Sequence, residues 1–191
     1  MTTQAATDQT TNIENGVDVD YVMDVIDQVK GNSDIAKFQF RAANQWIDGG
    51  HNRSTVKGFY GACQEDQSRT EAFVMEADEP AILGSNDKAP NPVEFVLHGL
   101  AACLTTTMAY HAAVRGIHIE AISSKLEGDL DLRGFLGLSD DVRKGYHHVR
   151  VTMTVKSDAT ADQLRELAMY SPVYDIVSNS LPVELVIQMD D

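Results

Sequence analysis

The segment Asn91-Pro-Val-Glu-Phe-Val-Leu-His-Gly-Leu-Ala-Ala-Cys103-Leu-Thr-Thr-Thr-Met-Ala-Tyr-His111 carries the densest set of reactive side chains in this sequence of 191 residues. Its chemistry would be that of a thiol. Cys103 can act only as a thiolate, and a thiolate needs a positive neighbour to form at neutral pH; without one, a free cysteine in an apolar helix is a small buried hydrophobe. The other cysteine, Cys63 in Gly-Ala-Cys-Gln-Glu-Asp, sits among acids that disfavour a thiolate. Glu94 and His98 stand at i,i+4, where they could share a metal, yet no third ligand stands at a telling spacing, so they read as a local helix pair. His147 and His148 open a strand, so their rings point to opposite faces and cannot chelate together. The sequence has no Gly-Lys-Ser/Thr phosphate loop, no GxGxxG and no Gly-x-Ser-x-Gly elbow. We therefore expect neither a metal nor a cofactor.

The elements around that segment follow from periodicity. Asn91 is a natural N-cap, Pro92 suits the first helical position, and Glu94 completes the start of a helix from Pro92 to Arg115, stopped by Gly116. Val93, Phe95, Val96, Leu97, Leu100 and Leu104 make it apolar on most sides, so it should be largely buried. Before it, Phe38–Trp46 and Thr55–Tyr60 alternate around Asp48-Gly49-Gly50 as a hairpin, with a third strand at Ala72–Ala77. After it, Ile117–Leu132 reads as a strand whose phase slips near Ala121-Ile122, the mark of a β-bulge. A Gly/Asp-rich loop at 134–146 leads to a strand at Val149–Val155. Thr160 and Gln163 form a capping box opening a helix to Tyr170. Pro172 breaks it, a second piece runs to Ser180, and Val183–Met189 is expected as a last strand. Hairpins, a helix, strands, a helix and a strand predict an α+β fold rather than a doubly wound sheet.

Composition narrows the function classes. The chain holds 15 Lys+Arg against 29 Asp+Glu, a net charge of −14, which gives no attractive field for nucleic acid. Two cysteines cannot make a disulfide scaffold and suit a reducing compartment, hence the cytoplasm. The first residues show no secretory signal, and no stretch approaches the ~20 apolar residues of a membrane span. Residues 1–34 carry seven of the acids and one base. Residues 1–15 read as disordered, and 18–30 as an amphipathic acidic helix with Val17, Tyr21, Val22, Val25, Ile26 and Val29 on its apolar side. Gly31-Asn32-Ser33 then closes an extension, 1–34, ahead of a domain over 35–191.

The run NPVEFVLHGLAAC, with the helix ending in RGI before a strand, resembles the family of osmotically inducible protein C and the organic hydroperoxide resistance proteins (OsmC/Ohr) over about residues 35–190. The resemblance implies an intertwined homodimer with antiparallel sheets wrapped around two long central helices per subunit. It implies reduction of organic hydroperoxides by Cys103, with an arginine from the N-terminal strands against the thiol. Arg53 is the best match and Arg41 the second. The family's resolving cysteine precedes a proline; here that position is Ser171-Pro172, so the two-cysteine cycle is lost and an external thiol reductant is needed. The carboxylate that steadies the family's arginine falls at Val93. Glu94 cannot replace it, because at about 100° per residue it lies ~180° around the helix from Cys103; it reads as a capping acid.

Three readings stay open. In the first, Cys103 attacks an organic hydroperoxide with Arg53 favouring the thiolate. In the second, the same interfacial pocket holds an apolar or thiol-reactive ligand without turnover. In the third, the acidic N-terminal helix is the working part and the domain a dimeric platform. Cys63 is the rival resolving residue.

Overall fold

A computed structural model describes residues 11–189. Its first element lies where the sequence reads as disordered. β1 (Ile13–Glu14) and β2 (Val17–Asp18) form a hairpin around Asn15-Gly16, both at positive φ, the turn whose twist suits a two-residue loop. The expectation of disorder is corrected for residues 11–15, while residues 1–10 lie outside the described residues. The cause is long-range: the Asn15 amide donates to the Ile117 carbonyl at 2.9 Å and accepts from the Ile119 N–H at 2.8 Å, and Val17 is buried. α1 (Val19–Gly31) follows, capped by the Asp18 carboxylate, and buries none of its side chains.

β3 (Ala43–Asp48) pairs antiparallel with β4 (His51–Val56). The expected strand Thr55–Tyr60 divides at Lys57-Gly58, where the backbone runs close to Asp66: a Cβ at Gly58 would stand 3.2 Å from the Asp66 carbonyl. Its second part is β5 (Phe59–Gly61), which pairs with β6 (Gln64–Asp66) in a separate hairpin. Phe38 and Phe40 lie ahead of β3 and cluster with Phe59, ring centroids 5.5–6.1 Å apart. β7 (Phe73–Ala77) returns to β4, completing a sheet of order β3-β4-β7.

Asp78 links this sheet to the helix beyond. Fully buried, its carboxylate accepts from the Lys88 N–H at 3.0 Å, the Ser85 hydroxyl and the Glu79 N–H, which together lower its pKa to about 2. Glu79 in turn accepts from the Asn91 amide. The chain thus enters α2 (Pro92–Ala113) from a braced loop. The capping box is present: Asn91 Oδ1 accepts from the Val93 N–H and Glu94 Oε2 from the Asn91 N–H.

β8 (Ile119–Asp129) and α3 (Leu132–Phe135) follow, and β9 (His148–Ser157) pairs antiparallel with β8. The register shifts between Ile119 and Ala121, one residue before the phase slip read from the sequence. α4 (Ala161–Ala168) carries the Thr160/Gln163 capping box, and α5 (Pro172–Ser178) continues beyond Ser171. The second of the two central helices is thus broken at Pro172. Met108, Ala112, Leu164 and Leu167 form the core, with Ile119, Ile122, Met153 and Val155 against them.

Three expectations change here. α2 is not largely buried: only Leu100, Leu104, Met108 and Ala112, which follow one side of the helix, and Ala113 at its end are covered. α2 also meets the length and composition of a membrane span, contrary to the reading of the sequence, although its buried side chains pack as a core helix does. Residues 183–189 form no strand and pair with none of the described sheets; Val183, Leu185 and Ile187 are at least 75% exposed. The chain exposes 14479 Å², against about 9,000 Å² for a compact monomer of this mass.

Candidate active site

Cys103 lies mid-way along α2, half-buried, on the same stripe as the exposed Val96 and Tyr110, seven residues before and after it. Leu104, about 100° further round, already faces the core. Among the described residues the only polar partner of the sulfur is Thr107, one turn on, with Oγ1 at 3.9 Å. A cavity of about 640 Å³ opens on the core side, lined by Leu104, Met108, Met153, Val155, Leu164 and Tyr174 among others. A second, of about 510 Å³, lies on the other side, lined by Thr106, Thr107, Tyr110, His111, Tyr170 and Pro172.

The second cavity has an ordered polar wall. Arg115 Nη1 donates to His111 Nδ1 at 2.9 Å, which leaves the proton of the neutral imidazole on Nε2. The His111 ring stacks on Tyr170 with centroids 4.4 Å apart, and the Arg115 guanidinium lies 5.6 Å from the same ring. Burial, and then the charge of Arg115, push the His111 pKa down and favour that neutral form.

Ser171 is buried and engaged as the N-cap of α5, its Oγ accepting from the Tyr174 N–H at 3.2 Å. Val93 offers its carbonyl to the Tyr146 hydroxyl at 3.0 Å. Glu94 is held in the capping box, and His98 is exposed. His147 is exposed ahead of β9, which His148 opens. Cys63 is exposed at the tip of the β5–β6 turn, where Ala62 and Cys63 both take positive φ; both cysteines are free thiols.

The two arginines from the sequence reading lie elsewhere on the chain. Arg53, exposed on β4, stands directly opposite Glu76 on β7, and its Nε donates to Glu76 Oε1 at 2.6 Å. His51 Nε2 lies 2.7 Å from the other Glu76 oxygen. The Arg53 bond, with help from His51, lowers the Glu76 carboxyl pKa. Arg41 makes a two-pronged pair with Glu65, both contacts at 2.8 Å. Neither arginine bonds Cys103 within the chain. Sequence reasoning missed Glu76, whose role depends on the β4–β7 register, and missed Thr107 and His111. The spacing of four residues from Cys103 to Thr107 and on to His111 was the available signal.

Residues 84–186 match the family model described as OsmC-like protein. Among solved structures, the chain is similar to an OsmC-like protein from Mycoplasma pneumoniae, at 16% identity and a TM-score of 0.56, covering 74% of this chain and 89% of the other. It is also similar to an OsmC-like protein of unknown function from Vibrio cholerae, at 14% identity and a TM-score of 0.52, covering 76% and 95%. At these identities the likeness is one of fold. A search of curated proteins gives no match.

Proposed function

The chain belongs to the OsmC-like protein family, and from that premise we propose that it reduces organic hydroperoxides through Cys103 alone. The thiolate attacks the terminal oxygen of R–O–O–H; the O–O bond breaks, Cys103 becomes a sulfenic acid, and the alkoxide takes a proton and leaves as alcohol. An external thiol must then reduce the sulfenic acid, because Ser171 is a buried cap and cannot form a disulfide. The observation that supports this reading is that Leu104, the next residue to Cys103 on α2, lines an apolar cavity with Met108 and Met153, where a hydrocarbon R group would find cover.

The reading includes a homodimer in a reducing compartment, with Arg53 of a second copy completing the site. It is supported by the exposed area, by the uncovered stripe of α2 and by the unpaired apolar segment 183–189. In that arrangement Glu76 takes the part of the carboxylate missing at Val93, since it already holds Arg53.

The test is substoichiometric cumene hydroperoxide with dimedone trapping, read by mass spectrometry. A dimedone adduct at Cys103 is expected, and labelling at Cys63 alone would overturn the reading. A Cys63–Cys103 disulfide under the same treatment would make Cys63 the resolving residue. Non-catalytic binding of an apolar ligand is the alternative, favoured by one observation: among the described residues, no cation bonds Cys103. Apolar ligand binding without any sulfenic acid would establish it.

A further inference from the structure

Cys103, Thr107 and His111 stand four residues apart and form one file along α2, and Arg115, two residues beyond its end, continues the spacing. Its two ends are in contact: the sulfur meets the Thr107 hydroxyl at 3.9 Å, and Arg115 donates to His111 at 2.9 Å. Its middle opens into the 510 Å³ cavity, which Thr107 and His111 both line. The Thr107 hydroxyl has no other partner among the described residues, unlike Thr106, whose hydroxyl is spent on the Ala102 and Cys103 carbonyls.

We propose that Thr107 is the positioning residue for the Cys103 thiolate, donating its hydroxyl proton to the sulfur, with the His111–Arg115 pair supplying the positive end of the file. This rests on the reading of Cys103 as the nucleophile and adds what this chain itself provides toward it. The neutral imidazole, with Nδ1 occupied by Arg115, presents Nε2–H to the cavity and so can donate toward the Thr107 oxygen across a bridging water. That leaves the hydroxyl proton for sulfur. A thiolate accepts such a bond more strongly than a thiol does, so the bond favours ionisation.

The charged groups of the elements packed on α2 do not compete. On α4, Arg165 pairs with Asp162, and Glu166 is exposed; on α5, Asp175 accepts from Asn179. On β8, Glu120 pairs with Lys156, Asp129 with Arg150 and Lys125 with Glu127.

The experiment is the pH dependence of Cys103 alkylation by iodoacetamide in the full chain, read on the Cys103 peptide by mass spectrometry. Thr107→Val should raise the midpoint by about one pH unit, the scale of one hydrogen bond to a charged group. Thr107→Ser should restore it, and Arg115→Gln should raise it by a smaller amount. An unchanged midpoint in Thr107→Val overturns the proposal, and so does a rise that Thr107→Ser fails to reverse, since packing alone would then account for it. Dimedone labelling of the same samples separates the two readings. A shifted midpoint without sulfenic acid in the parent protein keeps the file and removes the peroxidase. Sulfenic acid with an unmoved midpoint does the reverse.

Discussion

The two halves of the chain are built to different standards of self-sufficiency. From α2 to α5, leucines, isoleucines and methionines of helix and sheet meet in one cluster, and the residues that close it are nearly dry. From α1 to β7 there is no such cluster. Among the described residues before Asp78 only Val17 and Gly61 are buried, while Phe40, Trp46, Phe73 and Val74 are all more than half exposed. Yet the N-terminal half is regular, with paired strands in a defined register and a hydrogen-bonded Arg53–Glu76–His51 cluster. Regular hydrogen bonding without buried apolar surface does not stabilise a sheet in water, because the ladder bonds contribute little net free energy by themselves. The homodimer proposed above would supply the missing cover, and would also meet the side of α2 and the segment 183–189 that the chain leaves exposed.

The sharpest way to break this comparison is to place charge on the uncovered apolar segment. Leu185→Asp with Ile187→Asp changes two side chains at 81% and 75% exposure. In a self-sufficient monomer such changes stay within about 0.5 kcal/mol each. If a second copy covers them, the double variant becomes monomeric at low micromolar concentration, and its N-terminal half loses protection against hydrogen exchange. Sedimentation equilibrium and exchange mass spectrometry decide it. By contrast Leu167→Ala, in the self-made core, should cost about 3 kcal/mol in denaturant unfolding, with the association state unaltered.

A smaller effect probes the link between the halves. The buried Asp78 carboxyl, held at about 2 chiefly by the Lys88 N–H, is ionised more easily in the folded chain than in the unfolded one, where it titrates near the ordinary value of about 3.9. Its contribution is therefore complete above about pH 4 and is lost as pH falls toward 2. Asp78→Asn must turn an N–H toward one of the donors now satisfied by oxygen, so it should lower the melting temperature at neutral pH and flatten that part of the acid profile. Ser171→Ala, on the other side of α2, should cost about 1 kcal/mol through loss of the α5 cap.

Legibility in the sequence follows the same division. The capping boxes at Asn91/Glu94 and Thr160/Gln163, the Gly116 stop and the bulge near residue 120 were readable, because each is set by neighbours a few residues away. Cys103 could be placed on its helix, and Glu94 could be read as a cap, by angular arithmetic alone. What could not be read depends on distant partners: the Asn15 clamp on Ile117 and Ile119, the Glu76 that holds Arg53, and the division of Thr55–Tyr60 between two sheets. The 183–189 segment shows the limit from the other direction. Its alternation is that of a strand, but a strand forms only by pairing with another, and among the described residues this segment pairs with none.

The smallest expected effect concerns how the N-terminal extension is fastened to the self-sufficient half. His118, at the start of β8, has Nδ1 2.8 Å from Glu14 Oε1, and this bond raises the imidazole pKa, with Asp158 and Glu120 adding to it. A group whose pKa is higher in the folded state stabilises most when protonated. The clamp's ionic part is therefore fully present below the unfolded value of about 6.5 and is lost as pH rises through the raised folded value. The Asn15 bonds to Ile117 and Ile119 are neutral and do not titrate. Hydrogen exchange of the Ile119 amide should thus show a protection that weakens modestly through this pH window in the parent chain. Glu14→Gln should remove that step, while NMR shows the His118 midpoint falling back toward its ordinary value. Asn15→Ala should lower the protection at every pH and leave the step in place. The effect is small because the His118 side chain is 66% exposed and salt screens the pair. A pH step that survives Glu14→Gln would show that the extension is held by the amide clamp and the buried Val17 alone.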